Sequence, residues 1–220
     1  MNNNLIHTIW LAFSFLGLFG VAELLYHKFK IKAEFTRKFV HLGTGLLTFL
    51  FPVFLSSHWW VLILCSSFAL ILIVSFKFNL LKSINAVDRV TWGSLCYPVA
   101  VYGCFLAYEF NGSKYIIFYL PILILAVCDP LAALAGCRWP LGKFSIFGNL
   151  KSLMGTLVFA VTAFCISVPF FLKSNCSFKD IFLFSILIAI VSSIAEAFSN
   201  KGFDNIFIPG SVLIVCLLIQ

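Results

Sequence analysis

The sequence predicts an all-α, polytopic bundle of transmembrane helices. Of its 220 residues, 62% are hydrophobic and only 10% are charged, and its mean hydropathy is +1.07. A single folded core of this length cannot hide so much apolar surface, so lipid must cover the excess. The apolar runs are continuous, whereas the strands of a transmembrane barrel would alternate over about 10 residues. A soluble globular protein and a disordered chain are therefore excluded.

Runs long enough to cross roughly 30 Å of hydrocarbon occur about eight times, and we expect between about seven and nine membrane helices. They cover residues 5–26, 39–55, 59–76, 92–107, 115–135, 153–172, 181–198 and 206–219. The first run follows an uncharged Met-Asn-Asn-Asn start and is too long for a signal peptide, so we interpret it as a helix. No repeat or long linker divides the chain, and residues 1–220 are expected to form one membrane domain.

The positions of the basic residues predict the orientation. The connections after the first, third, fifth and seventh runs contain 12 of the 15 lysines and arginines. By the positive-inside rule these connections face the cytoplasm, and both termini lie outside. In a bacterium the protein would lie in the inner membrane. The basic residues form no continuous stripe, so no nucleic-acid partner is expected. The sequence does not indicate an oligomeric state.

The cysteines do not indicate a metal or disulfide site. Most of the 8 cysteines lie inside apolar runs, where thiols usually behave as small buried hydrophobes. The chain contains no Cys-x-x-Cys pair and its 4 histidines are scattered, so no spacing supports a structural zinc site.

Three acids are the strongest functional candidates. Asp129, Glu196 and Asp204 interrupt or flank apolar runs, and the predicted topology places all three near the cytoplasmic face. Because an ionisable group is costly in hydrocarbon, an intramembrane acid usually has a function. The alternative is that a neighbouring lysine or arginine neutralises each acid for purely structural reasons.

The residues after Asp129 favour a polyphosphate site. Small residues up to Gly136 allow close backbone approach, and the chain continues through Lys143 to Lys151, Ser152 and Gly155. A carboxylate suits Mg²⁺, while backbone N–H groups and lysine ammonium groups suit phosphate oxygens. The segment from Lys151 is expected to begin a helix whose N-terminus favours an anion. The spacing does not match a P-loop.

Two further polar clusters open membrane runs. One cluster, Arg37, Lys38 and His41, lies at the start of the second run, with Arg37 and His41 on one helical face. It serves either as a positive-inside anchor or as part of a pocket. The other cluster opens the fourth run, and its charges could simply pair with each other. It comprises Asp88, Arg89, Thr91, Gly93, Ser94, Tyr97 and Pro98.

Together these motifs resemble those of the CTP-dependent lipid kinases, the family of dolichol, phytol and yeast-type diacylglycerol kinases, which is related to the membrane CDP-diacylglycerol synthases. The similarity runs from about residue 23 to the C-terminus in the family's order. The motifs are Arg37-Lys38-x-x-His41-x-x-x-Gly45, Asp129-Pro130-x-Ala132-Ala133-x-x-Gly136, Gly142-Lys143, Lys151-Ser152-x-x-Gly155-Thr156, and Glu196 with Asp204-Asn205-x-x-x-Pro209.

The resemblance implies an enzyme that transfers the γ-phosphoryl group of CTP, with Mg²⁺, to the hydroxyl of a polyprenol, a phytol-like alcohol or a diacylglycerol. It implies catalytic roles for Asp129, Lys151, Glu196 and Asp204, with Asp129 and Asp204 as metal ligands. The implied nucleotide- and phosphate-binding residues are Arg37, Lys38, His41, Gly136, Lys143, Ser152, Gly155 and Asn205. Ala133 and Phe203 stand where some relatives have acids, which argues against a two-metal site like theirs.

Two alternatives remain open at this point. One is a phosphatidate cytidylyltransferase, although the His-Gly-Gly and Asp-Arg-x-Asp signature of those enzymes is absent. The other is a membrane transporter, whose site would be expected near the midplane between repeated halves.

Overall fold

The computed structural model describes residues 3–78, 80–86, 92–146, 148–174 and 176–219. Asp88, Arg89 and Thr91 lie outside these ranges, so the pairing considered for their charges stays a prediction. In order, the elements are α1 (Asn3–His27), α2 (Ala33–Thr48), α3 (Phe51–Phe54), α4 (His58–Lys77), α5 (Lys82–Asn85), α6 (Gly93–Phe110), α7 (Tyr115–Leu123), a π-helical segment (Ile124–Cys128), α8 (Asp129–Arg138), β1 (Lys143–Ile146), β2 (Asn149–Ser152), α9 (Leu153–Leu172), α10 (Phe178–Phe198) and α11 (Asp204–Leu218).

The central element is the continuous apolar helix formed by α7, the π-helical segment and α8. In its most apolar stretch, 61% of the residues are buried inside the protein. The corresponding share is 28% to 44% in the other four long apolar helices of the described ranges. One hydrophobic cluster joins its first half to α1, α2, α4 and α6. A second cluster joins the π-helical segment to α9, α10 and α11. The central helix therefore connects the two halves of the core.

Within the described ranges, five helices are long and apolar enough to cross a membrane, and they confirm the prediction of a helical membrane protein. They are Asn3–His27, His58–Lys77, Tyr115–Arg138, Leu153–Leu172 and Phe178–Phe198. The other three predicted spans correspond to α2, α6 and α11, which have 16, 18 and 15 residues. The total of eight spans and the orientation of the bundle stay predictions.

The second predicted run is not one uninterrupted helix. Helix α2 ends at Thr48, and the short α3 begins at Phe51 with Pro52 in its first turn. Proline has no N–H group to donate and is best tolerated in a first turn, where that donor has no helical partner. The break therefore falls where Pro52 destabilises a continuous helix.

The connection after α8 contains an antiparallel hairpin that the all-helical interpretation did not include. Strand β1 pairs with β2 so that Lys143 lies opposite Ser152 and Ile146 opposite Asn149. The Lys-Phe-Ser-Ile sequence of β1 alternates polar and apolar residues, and its exposure alternates with it, as expected for a strand. Gly148 has a φ of 80°, a backbone conformation that glycine adopts readily in a tight turn.

This hairpin corrects the expected position of Lys151. The lysine lies in β2 rather than at a helix start, and α9 begins only after Ser152. The N-terminus of α9 still lies next to the hairpin because Ser152 ends the strand and caps the helix.

Candidate active site

A cavity of about 730 Å³ is lined by all 12 residues to which the family resemblance assigned a catalytic, metal-binding or phosphate-binding role. It has a charged end, formed by the first residues of α2, α8 and α11, the last turn of α10 and the hairpin, and an apolar arm between α1, α2, α4 and α6. The predicted residues in its wall are Arg37, Lys38, His41, Asp129, Gly136, Lys143, Lys151, Ser152, Gly155, Glu196, Asp204 and Asn205.

Asp129 is the first residue of α8, directly after the π-helical segment. Pro130 follows it and has no N–H group to donate to the carbonyl of Ala126, so the wider π-helical turn lies where the regular ladder is interrupted. The half-buried Asp129 carboxylate interacts electrostatically with four charged side chains. These are Asp204, Glu196, Lys151 and Arg37. Charged side chains from four other elements therefore converge on the Asp129 carboxylate.

Lys151 connects the hairpin to the end of α10. Its Nζ donates to the Glu196 Oε1 and, over 2.8 Å, to the Glu196 carbonyl. The neighbouring Asn149 Nδ2 donates to the Ser199 carbonyl at 3.3 Å. Glu196 is only 6% exposed, and among the described residues its Oε2 has no hydrogen-bond partner. A buried acceptor that lacks a hydrogen-bond partner and belongs to a cavity wall is suited to bind a donor or a cation that a ligand supplies.

The loop between α10 and α11 packs against the start of α6. The Lys201 carbonyl accepts a hydrogen bond from the Trp92 N–H at 2.8 Å. Asn205 Nδ2 donates to the carbonyls of Gly93 (3.1 Å) and Gly202 (3.3 Å). A Cβ atom on Gly202 would lie 2.2 Å from the Gly93 nitrogen, and the φ of Gly202 is 92°. Glycine is therefore required there, and Asn205 has a structural role that the sequence did not indicate.

His41 connects α2 to the π-helical segment. Its Nε2 donates to the Leu125 carbonyl at 3.1 Å, and its ring lies edge-on to Tyr97 with ring centres 5.2 Å apart. Arg37 lies one turn earlier on α2 and also lines the cavity. Because the carbonyl holds the imidazole in place, this face of α2 has a fixed position relative to Asp129.

Two of the predicted phosphate-binding glycines lie where α8 and α9 pack closely. A Cβ atom on Gly136 would come within 2.8 Å of the Ser152 Oγ, and one on Gly155 within 3.0 Å of the Ala132 carbonyl oxygen. The Ser152 Oγ accepts a hydrogen bond from the Gly155 N–H at 3.1 Å. These contacts give both glycines a packing role in addition to their position in the cavity wall.

The chain is similar to phytol kinase from Synechocystis sp., with 35% identity over 221 aligned positions that cover 97% of this chain and 94% of that protein. The chain belongs to this lipid kinase family. The family resemblance found in the sequence is thus confirmed, and the protein is a phosphotransferase that acts on a lipid alcohol. No protein-family model matches the chain, and no solved structure does. The cytidylyltransferase and transporter alternatives are not favoured.

The sequence did not reveal the apolar arm of this lipid kinase's cavity. Its wall includes Phe15 and Phe19 of α1, Leu64 and Phe68 of α4, and Val101 of α6. These residues belong to ordinary apolar runs, and no spacing or motif separates them from the residues that face lipid. Only the relative rotation of the helices brings them to the same cavity.

The carboxylates of the lipid kinase do not form a complete metal cage. Within the described part of the chain, no group of three or more His, Cys, Asp and Glu side chains is arranged to hold a metal ion. Mg²⁺ commonly uses only one or two protein carboxylates and completes its shell with water and substrate phosphates. Asp129 and Asp204 in one cavity fit that pattern.

Proposed function

We propose that this lipid kinase transfers the γ-phosphoryl group of CTP to the hydroxyl of phytol or a closely related isoprenoid alcohol. The observation that carries the proposal is the single cavity that joins a charged end to an apolar arm. A kinase for a lipid alcohol needs this combination, because its two substrates differ completely in polarity. The name of the Synechocystis relative supports phytol as acceptor, and the use of CTP follows from the family resemblance.

The charged end suits the triphosphate. Lys143 and Lys151 approach from the hairpin and Arg37 and Lys38 from α2. Ser152 caps the 20-residue helix α9, whose N-terminal N–H groups add a partial positive charge. Phosphoryl transfer depends mainly on in-line positioning and charge stabilisation, and these groups supply both.

Asp129 and Asp204 are the residues that would hold Mg²⁺. Both supply hard oxygen ligands at the charged end, and Glu196, whose Oε2 has no hydrogen-bond partner in the described part of the chain, lies in the same wall. When bound, the ion neutralises negative charge on the phosphates and orients them. The lysines and Arg37 would share that task with the ion.

Glu196 is suited to orient the acceptor hydroxyl. Lys151 occupies Oε1, so Oε2 is the oxygen that can accept the hydroxyl proton. The acceptor would approach from the bilayer with its chain in the apolar arm and its hydroxyl at the charged end. In this proposal the protein is a multi-pass protein, in the inner membrane if bacterial, and its site faces the cytoplasm.

The test is transfer of label from CTP in membranes that contain the protein. With ³²P at the γ-position and phytol as acceptor, we expect a labelled phytyl phosphate, and much less product with ATP, GTP or UTP. Polyprenol and diacylglycerol replace phytol in parallel reactions. If label reaches the lipid only from α-³²P-CTP, the protein is a cytidylyltransferase and not a kinase. Equal rates with ATP would contradict the proposed nucleotide, and a preference for diacylglycerol would contradict the proposed acceptor.

A further inference from the structure

The apolar arm of the cavity has a closed end. Its deepest wall residues are Phe15 on α1, Phe51 on α3, Leu64 on α4 and Val101 on α6. About one turn further along α1, α4 and α6 the packed core continues with Leu11, Val61 and Phe105. Those three residues are at most 1% exposed and do not belong to the cavity wall. The arm therefore ends at about the same depth along α1, α4 and α6.

The floor of the arm is a cluster of phenylalanine rings. The ring centre of Phe68 lies 4.8 Å from that of Phe15 and 5.9 Å from that of Phe19. Phe15 also contacts Phe51 edge-on, with ring centres 6.1 Å apart. All four rings are at most 7% exposed. Aromatic rings packed in this way are held by their neighbours and do not move aside easily.

The depth of the arm limits the chain that fits into it. The α2 segment from Arg37 at the charged end to Thr48 near the floor is about 16 Å long, at about 1.5 Å per residue. An extended polypeptide has three bonds per residue, and one third of its rise per residue is about 1.2 Å, which is also the advance of an extended hydrocarbon per bond. An isoprene unit adds four bonds to the chain and therefore covers about 5 Å. The arm is thus about three isoprene units deep, and the fourth, hydroxyl-bearing unit of a 20-carbon alcohol would lie at the charged end.

We propose that the phenylalanine floor sets the maximal chain length of the acceptor, so that the enzyme takes short single-chain isoprenoid alcohols rather than long polyprenols. This inference rests on the proposed function and specifies the substrate class of the same site. Phe15 is the residue to change because it contacts two other rings of the floor, Phe51 and Phe68.

The experiment compares geraniol, farnesol, geranylgeraniol, phytol and the longer solanesol, each at the same concentration. Phosphorylation is measured with γ-labelled CTP, and binding is measured separately as the rise in Tm of the detergent-solubilised protein without nucleotide. The wild-type protein should respond up to geranylgeraniol and phytol and fall by at least about tenfold for solanesol.

Two variants should move this limit in opposite directions. Phe15→Ala removes a ring from the floor and makes room for about one more isoprene unit, so it should improve the response to geranylgeraniol relative to farnesol by about tenfold and still exclude solanesol. Val101→Phe fills the end of the arm and should shift the preference to farnesol and geraniol. The matched controls are Phe13→Ala and Val99→Phe, because those side chains lie on the same helices and are 69% and 60% exposed. Both controls should keep the wild-type length profile.

The inference is overturned if the wild-type protein shows no length limit, or if Val101→Phe changes all alcohols by the same factor. If Phe15→Ala does not fold, Val101→Phe decides the question because it acts in the opposite direction. Absence of phosphorylation with every alcohol, together with a length-dependent rise in Tm, would reject the proposed function and leave the arm as a chain-length-selective site. If the enzyme phosphorylates the alcohols but its Tm rises equally with all of them, only the chain-length limit is rejected and the proposed function stands.

Discussion

Lys151 and Glu196 form an ion pair that joins the end of the hairpin to the end of α10. Their side chains are 19% and 8% exposed, so both charges are largely removed from water. The pair holds the lysine proposed to bind phosphate next to the acid proposed to receive the hydroxyl proton. Substitutions can separate the contribution of this pair to the stability of the protein from its role in phosphoryl transfer.

Lys151→Met alone should destabilise the protein by about 3 kcal/mol, because it leaves the Glu196 carboxylate buried without its counter-charge. Adding Glu196→Gln should restore much of the loss, since the remaining group is neutral. Neither variant should phosphorylate the lipid at more than a small fraction of the wild-type rate. Thermal unfolding in detergent measures the first effect and label transfer the second. Equal Tm values for the single and the double variant would contradict the coupling.

Asp129→Asn should lower phosphoryl transfer by at least about a hundredfold while leaving Tm within a few degrees of wild type. The amide keeps the shape of the side chain but removes the charge proposed to hold Mg²⁺. Asp180→Asn is the control, because that acid lies in the first turn of α10, outside the cavity wall. Near-normal activity of Asp129→Asn at low Mg²⁺ would remove the proposed metal role.

Gly155→Ala should lower stability by about 1 to 3 kcal/mol, because the new methyl group would press against the Ala132 carbonyl and separate α8 from α9. Activity should fall with it, since both helices carry residues of the cavity wall. Gly103→Ala is the matched control in α6, where nothing lies within 4 Å of the added Cβ. That change should be neutral or slightly stabilising. A Gly155→Ala protein as stable as Gly103→Ala would show that the helices separate without cost.

Ser152→Ala and Ser177→Ala remove equivalent helix caps. Ser152 accepts from the Gly155 N–H at 3.1 Å, and Ser177 accepts from the Asp180 N–H at 3.2 Å. Each substitution should cost about 1 kcal/mol of stability. Only Ser152→Ala should also raise the KM for CTP, because only this cap lies at the charged end of the cavity. The same KM in both variants would limit Ser152 to capping.

The orientation proposed from the basic residues implies which loops are accessible from outside the cell. An epitope at the N-terminus, or inserted between Gly112 and Ser113 in the α6–α7 loop, should bind antibody on intact cells. An epitope inserted after Gly148 in the hairpin should bind only after the membrane is permeabilised. Labelling of the hairpin epitope on intact cells would reverse the topology and contradict a cytoplasmic site.

Much of the charged end could be predicted because polar residues are costly inside apolar runs. Asp129, Glu196 and Asp204 stood out for that reason alone, and the structure brings all three into one cavity. The hairpin was missed although β1 alternates polar and apolar residues, because its strands are only four residues long. A four-residue alternation is too short to predict a strand next to apolar runs that clearly predict helices.

The packing roles of Gly136, Gly155 and Asn205 depend on contacts between elements that are distant in sequence. The sequence assigned them to ligand binding, because glycines and amides near acids and lysines suit phosphates. The structure adds close contacts between helices and between loops. Which surfaces meet is decided by the whole bundle, so no local pattern contains this information.

The sequence by itself determined that this is a helical membrane protein, which acids are the candidates for its site, and to which lipid kinase family it belongs. Only the tertiary structure separated Phe15 from Phe13, which are 5% and 69% exposed on the same helix. Lipid and protein core are similarly apolar, so hydropathy cannot tell a residue that faces the bilayer from one that lines the arm. The relative rotation and packing of α1, α2, α4 and α6 make that distinction.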